Sequence, residues 1–192
     1  MKQIIAIAVV AAAALATPAL AQDQNYVQLN LGGSVAGDVE IDGLGETDLD
    51  KGFFASIAAG RTDTSGISVE GEVVYLDADI DTNGVFDADV TTTAALINLT
   101  YTYSGLGAIK PYVGGGLGWG NVDYDVDGDS VDDSSVLWQV KAGATYAFSP
   151  QVSLDVGYRY INLPKFKVND GTDTVEIESD AHVISVGARY AF

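Results

Sequence analysis

The chain of 192 residues contains no cysteine, so neither a disulfide framework nor a thiolate metal site organises it. Proline is scarce, at 4 residues, and histidine occurs once. Basic residues number 9 against 27 acidic ones, for a net charge of −18. That deficit weighs strongly against nucleic acid as a partner, because such binding rests on basic contacts to phosphate. Beyond residue 21 no apolar run reaches the roughly 20 residues a membrane-spanning helix needs. Yet 47% of the chain is hydrophobic. The apolar residues must therefore be dispersed by alternation.

The first residues stand apart from that pattern. Lys2 precedes an apolar run from Ile4 to Ala16, and Thr17-Pro18-Ala19-Leu20-Ala21 follows. A charged start, a short apolar stretch and an Ala-x-Ala site define a secretory signal peptide over residues 1–21, cut before Gln22. The folded part is then a single domain over 22–192. Loss of Lys2 takes its net charge to −19.

The acids are clustered, with 22 of the 27 in four groups. These run from Asp38 to Asp50, from Asp77 to Asp89, from Asp123 to Asp133 and from Asp170 to Asp180. Between them lie segments of alternating polarity. The last, Asp180 to Phe192, places Ile184, Val186, Ala188, Tyr190 and Phe192 on one side and Val183, Ser185, Gly187, Arg189 and Ala191 on the other. A strand sends alternate side chains to opposite faces, so one face is apolar and the other mixed.

Eight such segments are predicted: Asn25–Ser34, Gly52–Arg61, Gly66–Leu76, Val90–Tyr103, Ile109–Asn121, Ser134–Phe148, Gln151–Leu163 and Asp180–Phe192. Each is long enough to cross a bilayer as a tilted strand of about 9 to 11 residues. Thr62–Ser65, Ser104–Ala108 and Ser149–Pro150 are short connections built from turn-forming residues. The other four connections are the acidic clusters. Short turns on one side and long loops on the other predict an all-β, eight-stranded, antiparallel transmembrane β-barrel with short periplasmic turns and long acidic extracellular loops.

The outward face would carry sets such as Val27, Leu29, Leu31 and Ala95, Ile97, Leu99, Tyr101. The inward face would carry Gln28, Asn30, Asn98, Gln139 and the glycines Gly114, Gly116 and Gly118, which suit close packing in a narrow barrel. A one-residue slip would put charge into lipid, so register is pinned. Two aromatic girdles are expected at the interfaces. The lower one would hold Tyr26, Tyr101, Tyr103, Tyr112, Tyr146, Phe148, Tyr190 and Phe192. The upper one would hold Phe53, Phe54, Tyr75, Trp119, Trp138 and Tyr160.

Three motifs carry a family resemblance: Pro111-Tyr-Val-Gly-Gly-Gly-Leu-Gly-Trp119, Leu154-Asp-Val-Gly-Tyr-Arg-Tyr-Ile161 and Val186-Gly-Ala-Arg-Tyr-Ala-Phe192. On these the chain resembles the small eight-stranded outer-membrane β-barrels, the OmpA-barrel and opacity-protein-like surface proteins. The resemblance covers the whole mature chain. It implies the outer membrane of a Gram-negative bacterium, with lipid and lipopolysaccharide as surroundings. It implies insertion by the barrel-assembly machinery, with Tyr190 and Phe192 in the assembly signal. No periplasmic peptidoglycan-binding domain is expected after the barrel, because the sequence closes on Phe192.

Eight strands leave an interior just wide enough for side chains or one small ligand. The inward charges are Glu70, Glu72 and Asp155 against Lys141, Arg159 and Arg189. Acids and bases balance, so a paired, hydrogen-bonded plug is expected, since an unpaired buried charge is costly. The alternative is an ion gate or narrow pore.

Asp123, Asp125, Asp127 and Asp129 offer hard oxygens at alternate positions, with Gly128 for a turn, as in a calcium loop. The twelfth position is Ser134, however, where a bidentate Glu is needed, and no helices flank the loop. The expected state is a solvated anionic loop holding Ca²⁺ only loosely, alongside lipopolysaccharide phosphates; no other cofactor is expected. His182 is the only histidine, and so the only candidate general base of that type. Ser179 and Ser185 lie three residues away on either side, hence on the opposite face, so this strand builds no nucleophile–base pair. No enzyme activity is expected. The leading function is an outer-membrane surface protein that supports the envelope and makes contact through acidic loops, its host or cell-surface ligand unknown. The alternatives are a small OmpW-like transport barrel and an adhesin or invasin.

Overall fold

The computed structural model describes residues 24–36, 38–41, 45–48, 52–79, 88–126, 129–162, 166–169 and 174–192. The residues of the expected signal peptide lie outside these. The strands in chain order are β1 (Gln24–Ala36), β2 (Asp38–Ile41), β3 (Gly45–Asp48), β4 (Phe53–Thr62), β5 (Ile67–Asp79) and β6 (Ala88–Thr102). They continue with β7 (Ile109–Val126), β8 (Asp129–Ala147), β9 (Val152–Asn162), β10 (Phe166–Asn169) and β11 (Thr174–Ala191). Eight of them, β1, β4 to β9 and β11, pair antiparallel with their neighbours. The first meets the last, from Tyr26 opposite Ala191 to Ala36 opposite His182, with a register shift between Ser34 and Ala36. That pairing closes the barrel and removes both sheet edges. Among the described residues no helix is long and apolar enough to cross a membrane.

All eight predicted segments are strands, but several run further than their apolar alternation. β7 reaches Val126 rather than Asn121, and β8 begins at Asp129 rather than Ser134. Their ladder continues to Val126 opposite Asp129. Lipid sets where side chains must be apolar, but backbone pairing needs no apolar side chain and persists beyond the bilayer. The first and last acidic clusters are likewise not simply loops. β2 pairs with β3 and with the start of β11, and β10 pairs with β11 as well.

Parity sorts the side chains as the alternation requires. Leu29 is 59% exposed, Ile97 69% and Val186 59%, all on the lipid side. Their inward neighbours Asn30, Asn98 and Ser185 are buried. Among the strand residues whose side chains are described, the outward Lys, Arg, Asp and Glu sit at the rims: Arg61 at the short-turn end, Asp77 and Asp180 at the other. A charge at the membrane midplane would cost about 2 to 4 kcal/mol.

Three expected girdle residues are corrected. Tyr26 and Phe54 are fully buried in the lumen, and Tyr112 donates a hydrogen bond to the buried Asp155. Each has inward parity, and the two tyrosines fill space that glycines leave. A β-carbon on Gly60 would stand 2.8 Å from the Tyr26 ring. The girdles keep Phe53, Tyr75, Trp119 and Trp138 at one end and Tyr101, Tyr103, Tyr146, Phe148, Tyr190 and Phe192 at the other, all exposed. Tyr190 and Phe192 stack at 6.3 Å between centroids.

The short turns are locally determined. The Asp63 carboxylate accepts hydrogen bonds from the Ser65 amide at 2.8 Å, the Ser65 hydroxyl at 2.6 Å and the Ile67 amide at 3.0 Å. Gly66 closes this turn at a φ of 89°, a conformation open to glycine.

Candidate functional site: the filled lumen

Alternation along each strand delivers inward side chains to the lumen in layers, and strand pairing decides which ones meet. Glu70 and Glu72 come from β5, Asn98 from β6, Gln139 and Lys141 from β8 and Arg159 from β9. At mid-height these form one network. The Arg159 guanidinium donates to Glu72 at 2.8 Å and to the Gln139 side-chain oxygen at 3.2 Å. Gln139 donates to Glu72 at 2.8 Å and to Asn98 at 2.9 Å. Asn98 donates to Glu70 at 2.9 Å and to Glu72 at 2.8 Å. The Lys141 ammonium donates to Glu70 and lies 3.9 Å from Glu72. Tyr26 adds its hydroxyl to Glu70 at 2.6 Å. Two acids thus face two bases, all four buried.

The other two predicted charges do not pair in this way. Arg189 donates to Gln28 at 2.7 Å and lies over the Tyr26 ring at 4.0 Å. Asp155 accepts from Tyr112 at 3.1 Å, and its second oxygen has no hydrogen-bond partner. Among the described residues neither is in an ion pair. Each instead has an aromatic partner, Tyr26 for Arg189 and Tyr112 for Asp155, a role that neither ring could have in a girdle.

Towards the long connections the lumen changes character. Phe54, Val74, Leu76, Ala94, Leu96, Leu137, Ile161, Ala181 and Val183 pack into a buried apolar cluster. Arg159 lies 4.4 Å from the Phe54 ring and joins the two layers. Alternation predicts a polar inward face and so misses this apolar layer; the even parity of Val74, Leu76, Ala94 and Leu96 is the signal that marks it. At the opposite mouth a cavity of about 450 Å³ opens among Thr62, Thr102, Lys110, Thr145, Ser153 and Arg189.

The inward glycines of β7 are there for space. A β-carbon on Gly114 would stand 2.6 Å from the Thr100 hydroxyl, and one on Gly116 would collide with the Asn98 side chain.

The remaining candidates lie elsewhere. His182 faces outward at the upper rim, where its Nδ1 meets the Tyr158 hydroxyl at 2.5 Å and its Nε2 lies 3.4 Å from Asp180. Tyr160 packs edge-on against it at 5.2 Å. Ser185 is buried on the other face, as its parity requires. The side chains of Asp123, Asp125 and Asp129, and Asp127 altogether, lie outside the described residues.

A closed eight-stranded antiparallel barrel, apolar outside and filled inside, is the architecture of bacterial outer-membrane proteins. The chain belongs to the outer membrane protein beta-barrel domain family, which it matches over residues 5–192. Its place is the outer membrane of a Gram-negative bacterium. It is similar in structure to Neisserial surface protein A, with a TM-score of 0.60 and 26% identity over 88% of this chain and 97% of that one. The outer membrane protein OprG of Pseudomonas aeruginosa shares the fold, with a TM-score of 0.58 and 18% identity over 88% of this chain and 95% of that one. A local likeness joins the chain to the long-chain fatty acid transport protein of Escherichia coli K12, 36% identical over 63 residues, or 33% of this chain. That stretch spans only 14% of the transport protein.

Proposed function

We propose that this protein is a closed, non-enzymatic outer-membrane barrel that supports the envelope and makes surface contact through its acidic connections. One observation carries the reading: Glu70, Glu72, Lys141, Arg159, Asn98 and Gln139 interlock across the lumen at mid-height. Charges held this way by several neighbours leave no row of hydrated sites for ions to pass along. In planar bilayers the purified protein is expected to give no steady conductance above that of the bilayer. A sustained, large single-channel current would overturn the closed reading. The acidic connections are proposed to hold Ca²⁺ weakly beside lipopolysaccharide phosphates. Calorimetry comparing wild type with Asp125→Asn/Asp127→Asn tests whether those carboxylates take part.

A second reading is favoured by the apolar layer. The packed layer of Phe54, Leu76, Leu96, Leu137 and Val183 would have to part to admit a small hydrophobic solute, and the local likeness to a fatty acid transport protein agrees with such a ligand. Uptake of a labelled fatty acid into cells with and without the protein separates the readings. Unchanged uptake favours the closed barrel, and loss on deletion favours transport. Cell-binding assays with loop deletions test the adhesin alternative.

A further inference from the structure

We propose that the lumen mouth at the short turns binds one small phosphomonoester with a hydroxylated, polyol-like body, its phosphate held by Lys110 and Arg189. Lys110 has the parity of Tyr112 and Gly114, so it is a further inward base. Among the inward strand residues whose side chains are described, Lys110, Lys141, Arg159 and Arg189 then face only Glu70, Glu72 and Asp155. The lumen therefore holds one more cation than its acids can match.

The surplus lies at one end. Lys141 and Arg159 are each bonded to a buried glutamate. Lys110 engages a neighbour only through its backbone carbonyl, which accepts from the Thr145 hydroxyl at 3.5 Å. Among the described residues its ammonium has no hydrogen-bond or ion-pair partner. Arg189 uses Nε on Gln28 and its face on the Tyr26 ring, and its two terminal nitrogens have no hydrogen-bond partner among the described residues. Asp155 is engaged with Tyr112 and does not line this mouth. Asp63 is the one acid in the lining, and its carboxylate already accepts from the Ser65 and Ile67 amides on the exposed rim.

Both cations open on the same cavity of about 450 Å³, within the size range of small-molecule sites. The register sets Thr145 opposite Lys110 and Ser153 opposite Arg189, and Thr62 and Thr102 add hydroxyls from β4 and β6. Two cations suit a phosphomonoester, which carries a charge of about −1.5 to −2 near neutral pH. A phospholipid offers only a diester of single charge and stays outside the wall. The terminal nitrogens of an arginine match phosphate oxygens in pairs. No aromatic ring, leucine, isoleucine or valine lines the cavity, so the body of a ligand meets hydroxyls rather than a stacking face or an apolar trough. In the orientation the short turns imply, this mouth faces the periplasm.

The test is equilibrium dialysis of the full-length protein in a non-ionic detergent against radiolabelled glycerol 3-phosphate. Wild type is expected to bind one equivalent. Unlabelled glycerol should not displace it, and inorganic phosphate, which lacks the hydroxylated body, should displace it only at higher concentration. Lys110→Gln should weaken binding about tenfold, the size of one charged hydrogen bond. Lys110→Arg, which keeps the charge, should bind as wild type does. Arg61→Gln, which removes an outward charge from the same rim, should change nothing. Heat-dependent gel mobility checks that each variant is folded, and the competition on wild type carries the test should Lys110→Gln misfold. No binding by wild type, displacement by glycerol, or equal displacement by inorganic phosphate would overturn the proposal. So would equal affinity in wild type and Lys110→Gln, or an equal loss in Arg61→Gln. Dialysis reads binding and bilayer conductance reads closure, so this inference and the closed-barrel reading can each fail alone.

Discussion

Along β5 the inward side chains change character within a few residues. Glu70 and Glu72 enter the ion-pair and amide network, while Val74 and Leu76 enter the apolar cluster with Phe54, Leu96 and Leu137. All four share one parity and one burial, yet two sit among cations and amides and two among methyl groups. What separates the layers is which strands lie opposite at each height. Glu72 has Asn98, Gln139 and Arg159 within hydrogen-bond reach, whereas Leu76 has none of them. A buried carboxylate is tolerable only in such company, because its desolvation must be offset by paired charge and donors. The lumen is therefore two fillings in one cylinder, with Arg159 touching both through Glu72 and the Phe54 ring.

That comparison breaks most sharply at Glu72. Glu72→Leu leaves Arg159 buried without its carboxylate and should cost about 3 to 5 kcal/mol. The double variant Glu72→Leu/Arg159→Met, which makes the middle layer resemble the upper one, should recover much of that loss. Urea titration in lipid vesicles, followed by gel mobility, measures both. In the apolar layer Leu137, 1% exposed, offers the counterpart. Leu137→Ala should cost about 2 to 5 kcal/mol by the same assay, through a cavity rather than a stranded charge. Whereas a second substitution rescues the ionic layer, only a larger apolar side chain nearby should rescue this one.

Outside the lumen the effects shrink. Gly66→Ala forces a β-carbon onto a residue with φ of 89° and towards the Thr102 carbonyl, for a loss of about 1 to 2 kcal/mol. The smallest effect belongs to Asp63. Hydrogen bonds from the Ser65 hydroxyl, then from the Ile67 amide, hold its carboxyl below the usual carboxylate value. A depressed folded-state value means that its contribution is present above the unfolded-state pKa and lost as the pH falls through the folded one. Asp63→Asn should therefore flatten the acid limb of a stability–pH curve, lowering stability slightly near neutrality and leaving it little changed in acid. As the side chain is fully exposed, a clear change of conductance or of lumen packing in this variant would contradict a purely local role.

Much of this molecule is legible in its alternation. Leu29, Leu31, Ile97 and Leu99 alternate with Gln28, Asn30, Asn98 and Thr100, and a strand in lipid cannot reverse that without exposing amides to hydrocarbon. Less legible were Tyr26, Phe54 and Tyr112. Each reads as a girdle aromatic from its place near a strand end, and each turns inward because parity and the space beside residues such as Gly60 outweigh the general attraction of rings to interfaces. The strand extensions past Asn121 and before Ser134 were invisible for a different reason. Outside the bilayer no apolar code is needed to keep two backbones paired.

The sequence by itself determined the face each side chain takes, the number of crossings and the two lengths of connection, because lipid enforces a two-residue period and a fixed span. Only the closed tertiary structure decided who meets whom within the lumen. Arg189, for one, lies diagonal to Asp155 across the β9–β11 ladder yet donates to Gln28 and covers the Tyr26 ring, because side chains from other strands converge on it only once the barrel closes.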